Sequence, residues 1–207
     1  MKSLKRLLAR ELNHYSALCQ IFDLEDKFVK EEHIQISPVQ RSIDENISAF
    51  GRTAVFPYNT VVKSGYIIKN TAENEEYFIS SWRAVSLCSS PAAFSAFLLQ
   101  INATGDIYRN EELDFNPDTG EVKTGYVKKI SGLKLYVQKK DWTMEMMTAY
   151  GREQKGYETI MCQERDIRQG DRIQCPDKKY IVQDINRIIR DNMLSLQVGV
   201  NIKHIEE

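Results

Sequence analysis

Histidine is scarce in this chain: His14, His33 and His204 are the only three in 207 residues, far apart and in no HExxH or paired spacing. A zinc centre or a catalytic triad built on imidazole is therefore disfavoured. Cysteine is limited to Cys19, Cys88, Cys162 and Cys175, with no CxxC pair and no histidine beside them. Such a set fits free thiols in a reducing compartment better than a disulfide framework or a metal ribbon. No stretch reaches the roughly 18 to 20 apolar residues that cross a bilayer, so a soluble protein with no membrane partner is expected. The opening run from Met1 to Glu11 begins basic, but Arg10 and Glu11 interrupt it before the apolar segment of a secretory signal can form. A GxxxxGK[ST] loop, a GxGxxG turn and a GxSxG elbow are all missing, which removes the usual signatures of nucleotide binding and of serine hydrolysis. Charge of one sign is lacking too. Lys and Arg number 28 against 29 Asp and Glu, a net charge of -1 that gives no global attraction to nucleic acid or anionic lipid. The carboxylate groups Asp23, Glu25, Asp26 and Glu73, Glu75, Glu76 read as solvated turns, not as a glycosidase pair. No enzyme activity, metal or cofactor is expected.

What is present is an ordinary globular composition, 42% hydrophobic and 28% charged, in a length that suits one large domain or two small ones. Residues 3–22 read as an amphipathic helix, because Leu4, Leu7, Leu8, Leu12, Tyr15, Leu18, Cys19 and Phe22 recur at three- and four-residue steps. From about residue 34 the pattern becomes short, alternating or β-branched runs punctuated by Gly, Asn, Asp and Pro, the grammar of an antiparallel β protein. The run from Asp114 to Gly120, with Pro117 inside it, is a strong turn sequence near the middle of the chain, placed for a domain boundary or an exposed hairpin tip.

The two halves also match each other. Val39-Gln40-Arg41 recurs as Val137-Gln138-Lys139, and Ala49-Phe50-Gly51-Arg52 as Ala149-Tyr150-Gly151-Arg152. Gly65-Tyr66-Ile67-Ile68 answers Gly170-Asp171-Arg172-Ile173, Tyr77-Phe78-Ile79 answers Tyr180-Ile181-Val182, and the run from Phe97 to Ile101 answers Leu194 to Val198. The order is kept throughout. The expected fold is therefore mainly β: an N-terminal helix and linker over 1–33, a first barrel-like unit over 34–110, a turn or hairpin linker over 111–132, and a second unit over 133–207. An internal duplication would account for the pair. Each copy reads as a Gly-led strand, a turn, and a second strand opening with Tyr.

The run from Tyr157 to Gln163, the Asp166-Ile167 step, Gly170-Asp171-Arg172-Ile173, the strand from Lys179 to Ile185 and the closing strand from Leu194 to Val198 together resemble the C-terminal part of tailed-bacteriophage head-closure proteins, also called head–tail adaptors or stoppers. The resemblance covers about 70 residues; members of that family are usually single barrels about half this length, so the first copy and the N-terminal helix are additions. The resemblance implies a non-catalytic virion protein of the phage neck, present in the host cytoplasm during assembly. It implies a ring of about six or twelve copies that joins a portal or adaptor protein to tail-tube or terminator proteins and retains packaged DNA, touching it without sequence preference. A tail-completion or baseplate protein is the alternative within that class, and an OB-type nucleic-acid-binding module the alternative outside it. Candidate docking or channel-facing residues are Lys139, Lys140 and Trp142, the adaptable cluster Met144, Met146 and Met147, and the basic residues Arg165 and Arg168. Arg172 extends the last group.

Overall fold

The computed structural model describes residues 16–38, 51–87, 90–115, 117, 120–138, 157–188 and 192–200. Among these residues the chain forms twelve strands: β1 (Ala17–Phe22), β2 (Phe28–Pro38), β3 (Gly51–Pro57), β4 (Ile67–Asn70), β5 (Glu75–Leu87), β6 (Ser90–Gln100), β7 (Ala103–Phe115), β8 (Val122–Gln138), β9 (Tyr157–Gln163), β10 (Arg172–Gln174), β11 (Lys179–Ile188) and β12 (Met193–Val200). They close into two antiparallel barrels of six strands each, in the orders β1-β2-β3-β6-β5-β4 and β10-β11-β12-β9-β8-β7. Shifting the first order by six strands and reading the second from β7 gives the same circuit, so each barrel has one topology, first-second-third-sixth-fifth-fourth.

The halves agree in backbone detail as well. In the first barrel the Gly65 amide donates to the Ile79 carbonyl at 2.7 Å, the Ile79 amide to the Tyr66 carbonyl at 2.9 Å, and the Tyr66 amide to the Lys63 carbonyl at 3.2 Å. In the second, Gly170 donates to Val182 at 2.8 Å, Val182 to Asp171 at 2.9 Å, and Asp171 to Arg168 at 3.1 Å. Gly65 and Gly170 both hold positive φ, 84° and 88°, a conformation that glycine alone adopts without steric cost. The hydrophobic residue three places earlier, Val62 or Ile167, is buried in each copy.

Each barrel has its own core. Cys19, Ile21, Ile34, Phe56, Ile68, Tyr77, Ile79 and Leu98 fill the first; Ile107, Leu135, Ile160, Cys162, Ile173, Val182, Leu196 and Val198 fill the second. The inward residues follow the two-residue period of a strand buried on one face.

Two expectations are corrected. Residues 17–22 form strand β1, not the end of a helix: Cys19 and Ile21 point inward while Leu18 is exposed, and the strand pairs with both β2 and β4. Leucine and aromatic spacing at three and four residues mimicked a helix here, and two antiparallel neighbours decide the matter. Residues 3–15 of the expected helix lie outside the described residues. The first barrel thus starts at Ala17 and not at 34. Residues 111–132, expected as a linker, are instead the end of β7 and most of β8, and β7 opens the second unit, which begins at Asn102. The turn around Pro117 and Gly120 is accordingly a hairpin tip and not a domain boundary.

Candidate interaction surface

The two barrels differ in what projects from them. The β1-β2 hairpin ends in a tight turn, in which an Asp23 carboxylate oxygen accepts from the Glu25 and Lys27 amides at 2.8 and 3.0 Å. Its counterpart, β7-β8, runs on. Pairing of β7 with β10 stops at Tyr108, and β8 pairs with β9 only from Tyr136, so among the described residues Arg109–Phe115 and Val122–Val127 pair with each other alone and form a two-stranded arm.

A bulge marks the root of the arm. Asp106 on β7 faces two residues of β8, Ser131 and Gly132, because the register moves from Gly105 opposite Leu133 to Ile107 opposite Ile130. Gly132 takes φ 65° there. The Asp106 carboxylate accepts from the Gly132 amide at 2.8 Å, from Ser131 Oγ at 3.3 Å and from Lys128 Nζ at 2.5 Å. The Lys128 bond first, and the Gly132 amide next, hold its pKa below the usual carboxylate range. A bulge fixed in this way re-aims the strand pair at the place where it leaves the barrel.

A second device ties the arm to the loop between β9 and β10. Arg109 Nε and Nη2 donate to the two Asp171 carboxylate oxygens at 3.0 and 2.9 Å, a bidentate pair. Its Nη1 donates to Asp166 Oδ2 at 3.0 Å and Nη2 to the Asp166 carbonyl at 2.8 Å. Asp171 is 2% exposed and Arg109 12%. Asp171 also accepts the Arg168 amide at 2.8 Å, so one buried carboxylate holds both the arm and the loop. These bonds raise the Arg109 pKa further above its already high value, and those from Arg109 and then Arg168 lower that of Asp166.

Above this root, the arm is charged on both strands. Lys129 meets Glu111 at 2.7 Å, Lys128 lies 5.5 Å from the Tyr108 ring, and the Arg172 guanidinium stacks 3.6 Å from the Tyr126 ring. Leu113, 62% exposed, lies across Gly125, where an added Cβ would meet its Cδ1 at 2.4 Å.

The first barrel carries a projection of another kind. β4 pairs with β5 only through Phe78 and the Ile79 amide, whereas β5 continues to Leu87. Its far side is covered by β6 alone. From Ser81 to Ser86 every residue is exposed, with Trp82 stacked on Phe94 at 4.7 Å between ring centroids.

Of the expected site residues, Arg165 and Arg168 lie in the β9-β10 loop beside the Arg109 network. Arg165 donates to Gln163 Oε1 at 3.2 Å and to the Glu164 carbonyl at 3.3 Å, and Arg168 to Asp166 Oδ1 at 3.3 Å, so each guanidinium is engaged by its own loop. Lys139, Lys140, Trp142, Met144, Met146 and Met147 lie outside the described residues. Arg109 and Asp171 carry the local structure and were not singled out. They stand 62 positions apart, and no spacing rule connects them.

Among the described residues no group of three or more His, Cys, Asp and Glu side chains is placed to hold a metal ion. Three cysteines are free thiols; burial pushes Cys19 and Cys162 up to about 12 and Cys175 to about 11. Thiols so poised are protonated near neutral pH and are weak nucleophiles. No helix among these residues is long and apolar enough to cross a membrane.

No family model matches the chain, and a search of curated proteins finds no match. Among solved structures, the inhibitor of motility MotI/DgrA of Bacillus subtilis aligns over 90% of this chain and 88% of its own, at 10% identity and a TM-score of 0.23. MrkH, described as a c-di-GMP-dependent transcription regulatory factor, aligns over 99% of this chain and 84% of its own, at 8% identity and a TM-score of 0.21. Scores this low carry no argument about fold or function.

Proposed function

We propose that this chain is a structural component of a tailed-phage neck, a head-closure or head–tail connector protein that joins the portal to the tail and helps retain DNA. One observation carries the reading: two small β-barrels of one strand order present, among the described residues, a charged, bulge-anchored hairpin arm and an uncovered strand edge. The residues resembling the head-closure family run through β9 to β12, contiguous strands of one barrel, which supports the resemblance. A ring built from many modest contacts suits such arms, because repetition supplies the strength each contact lacks. A tail-completion or baseplate role uses the same surfaces. The OB-type reading has less support, because a net charge of -1 gives no global attraction to nucleic acid.

Quantitative mass spectrometry of purified virions tests the reading. The chain is expected in the particle at about six or twelve copies; its absence from intact virions contradicts the proposal.

A further inference from the structure

We infer that the uncovered edge of β5 is the seat for the arm of a second copy, the free edge of β7 from one chain adding to Ser81–Ser86 of the next. The inference deepens the connector reading and rests on it for its context.

Both edges lack a partner strand among the described residues. β5 beyond Ile79 pairs only with β6, and β7 beyond Tyr108 only with β8. An edge strand exposes a row of unpaired amides and carbonyls, and soluble proteins usually blunt such edges with lysine, proline, inward charges or a covering element. Ser81-Trp82-Arg83-Ala84-Val85-Ser86 carries Arg83 and is bounded by register shifts against β6, between Ile79 and Ser81 and between Val85 and Ser86, which leave Ser81 to Val85 in regular register. Trp82 and Val85 are 40% and 42% exposed. Among the described residues this edge is unpaired and carries one cation.

The arm supplies the complement. On its β7 strand Glu111 is taken by Lys129 and Arg109 by Asp171. Glu112 and Asp114 are exposed and make no ion pair among the described residues, and the same holds for Arg83. Leu113, the most exposed large hydrophobic residue described, sits between these two carboxylates as the extra residue of a bulge against β8, with Glu112 opposite Thr124 and Asp114 opposite Lys123. Laid antiparallel, the two edges place Arg83 opposite Glu112 and bring Trp82 beside Leu113. One register then pairs the free charge and the free apolar side chain of each strand with those of the other, and cross-strand pairs of these kinds favour association. A symmetric β5-to-β5 contact leaves Glu112 and Leu113 uncovered and brings two Arg83 side chains together. The contact inferred here is head-to-tail, the type that generates rings or open filaments.

Sedimentation velocity of the full chain over a range of concentrations, on Arg83→Glu, on Glu112→Arg and on their mixture, tests it. Both positions are exposed, and circular dichroism checks that each variant folds. Each variant alone meets like charge across the contact, so its self-association is expected to need about tenfold higher concentration or more. An equimolar mixture restores wild-type association, because each contact then joins opposite charges, in an alternating chain. A chain monomeric at every concentration overturns the inference, as does association that either variant leaves unchanged. If rings still form in both variants, the contact is wrong and the connector reading stands. If the charge swap is obeyed but no portal or tail component binds, the contact is right and the connector reading falls.

Discussion

Asp171 accepts three hydrogen bonds, two from the Arg109 guanidinium and one from the Arg168 amide, at a position almost closed to solvent. Removing one partner of such a pair strands the other charge without its water. Asp171→Ala is therefore expected to lower stability by about 3 kcal/mol, read as a fall in the midpoint of urea unfolding. Asp166 contributes differently, because it is exposed. Its pKa is depressed in the fold, first by Arg109 and then by Arg168, so its contribution is complete above the unfolded carboxylate pKa and fades as pH falls through the lower folded value. Asp166→Asn should flatten the loss of stability below about pH 4, measured by unfolding across an acid series. The paired glycines give a comparison within one molecule. At Gly170 an added Cβ meets nothing within 4 Å, so Gly170→Ala carries only the strain of positive φ, about 1 kcal/mol. At Gly65 the Cβ would sit 2.8 Å from Leu24 Cδ2, and Gly65→Ala should cost more in the same thermal or urea measurement.

Among the elements, the paired hairpins with one face in a core were legible from sequence, whereas β1 and the outer half of β7 were not. The hairpins that follow Gly65 and Gly170 could be read, because Ile68, Tyr77 and Ile79, or Ile173, Tyr180 and Val182, mark an inward face and a glycine precedes each. Strand β7 was hidden. Its outer half, Arg109-Asn110-Glu111-Glu112-Leu113-Asp114, lies in an arm with no buried face and so lacks the alternation that betrays a strand. β1 was misread for the opposite reason, since its apolar residues also satisfied a helical spacing. The interaction surface was legible only in part. Arg165 and Arg168 stood out as local basic residues, whereas Arg109 and Asp171 meet only after β7 and β10 have paired. The arm can be tested as an element. Replacing residues 113–123 with Asn-Gly joins Glu112 to Thr124, which already face each other, and Asn-Gly favours the tight hairpin turn required. The shortened chain is expected to keep its circular dichroism spectrum, because the root at Asp106, Arg109 and Gly132 is untouched, and to lose self-association in light scattering.

At the scale of the whole molecule, the two barrels agree in their closure and differ in what projects from them. Both barrels keep one strand order and one glycine-led hydrogen-bond pattern, so the core and its closure are shared. They differ at the rim: an extended β7-β8 arm projects from the second barrel, and β5 of the first runs on beyond its pairing with β4. The near-zero net charge is compatible with the proposed connector role, in which the partners are proteins and DNA is enclosed more than gripped. Arms and edges of this kind gain strength only when repeated around a closed ring. The most direct measurement is light scattering with negative-stain imaging of the full chain added to purified portal rings of its phage. A defined number of copies seated in a ring on the portal is the expected result; a chain that stays monomeric and unbound beside intact portal rings would contradict the connector role.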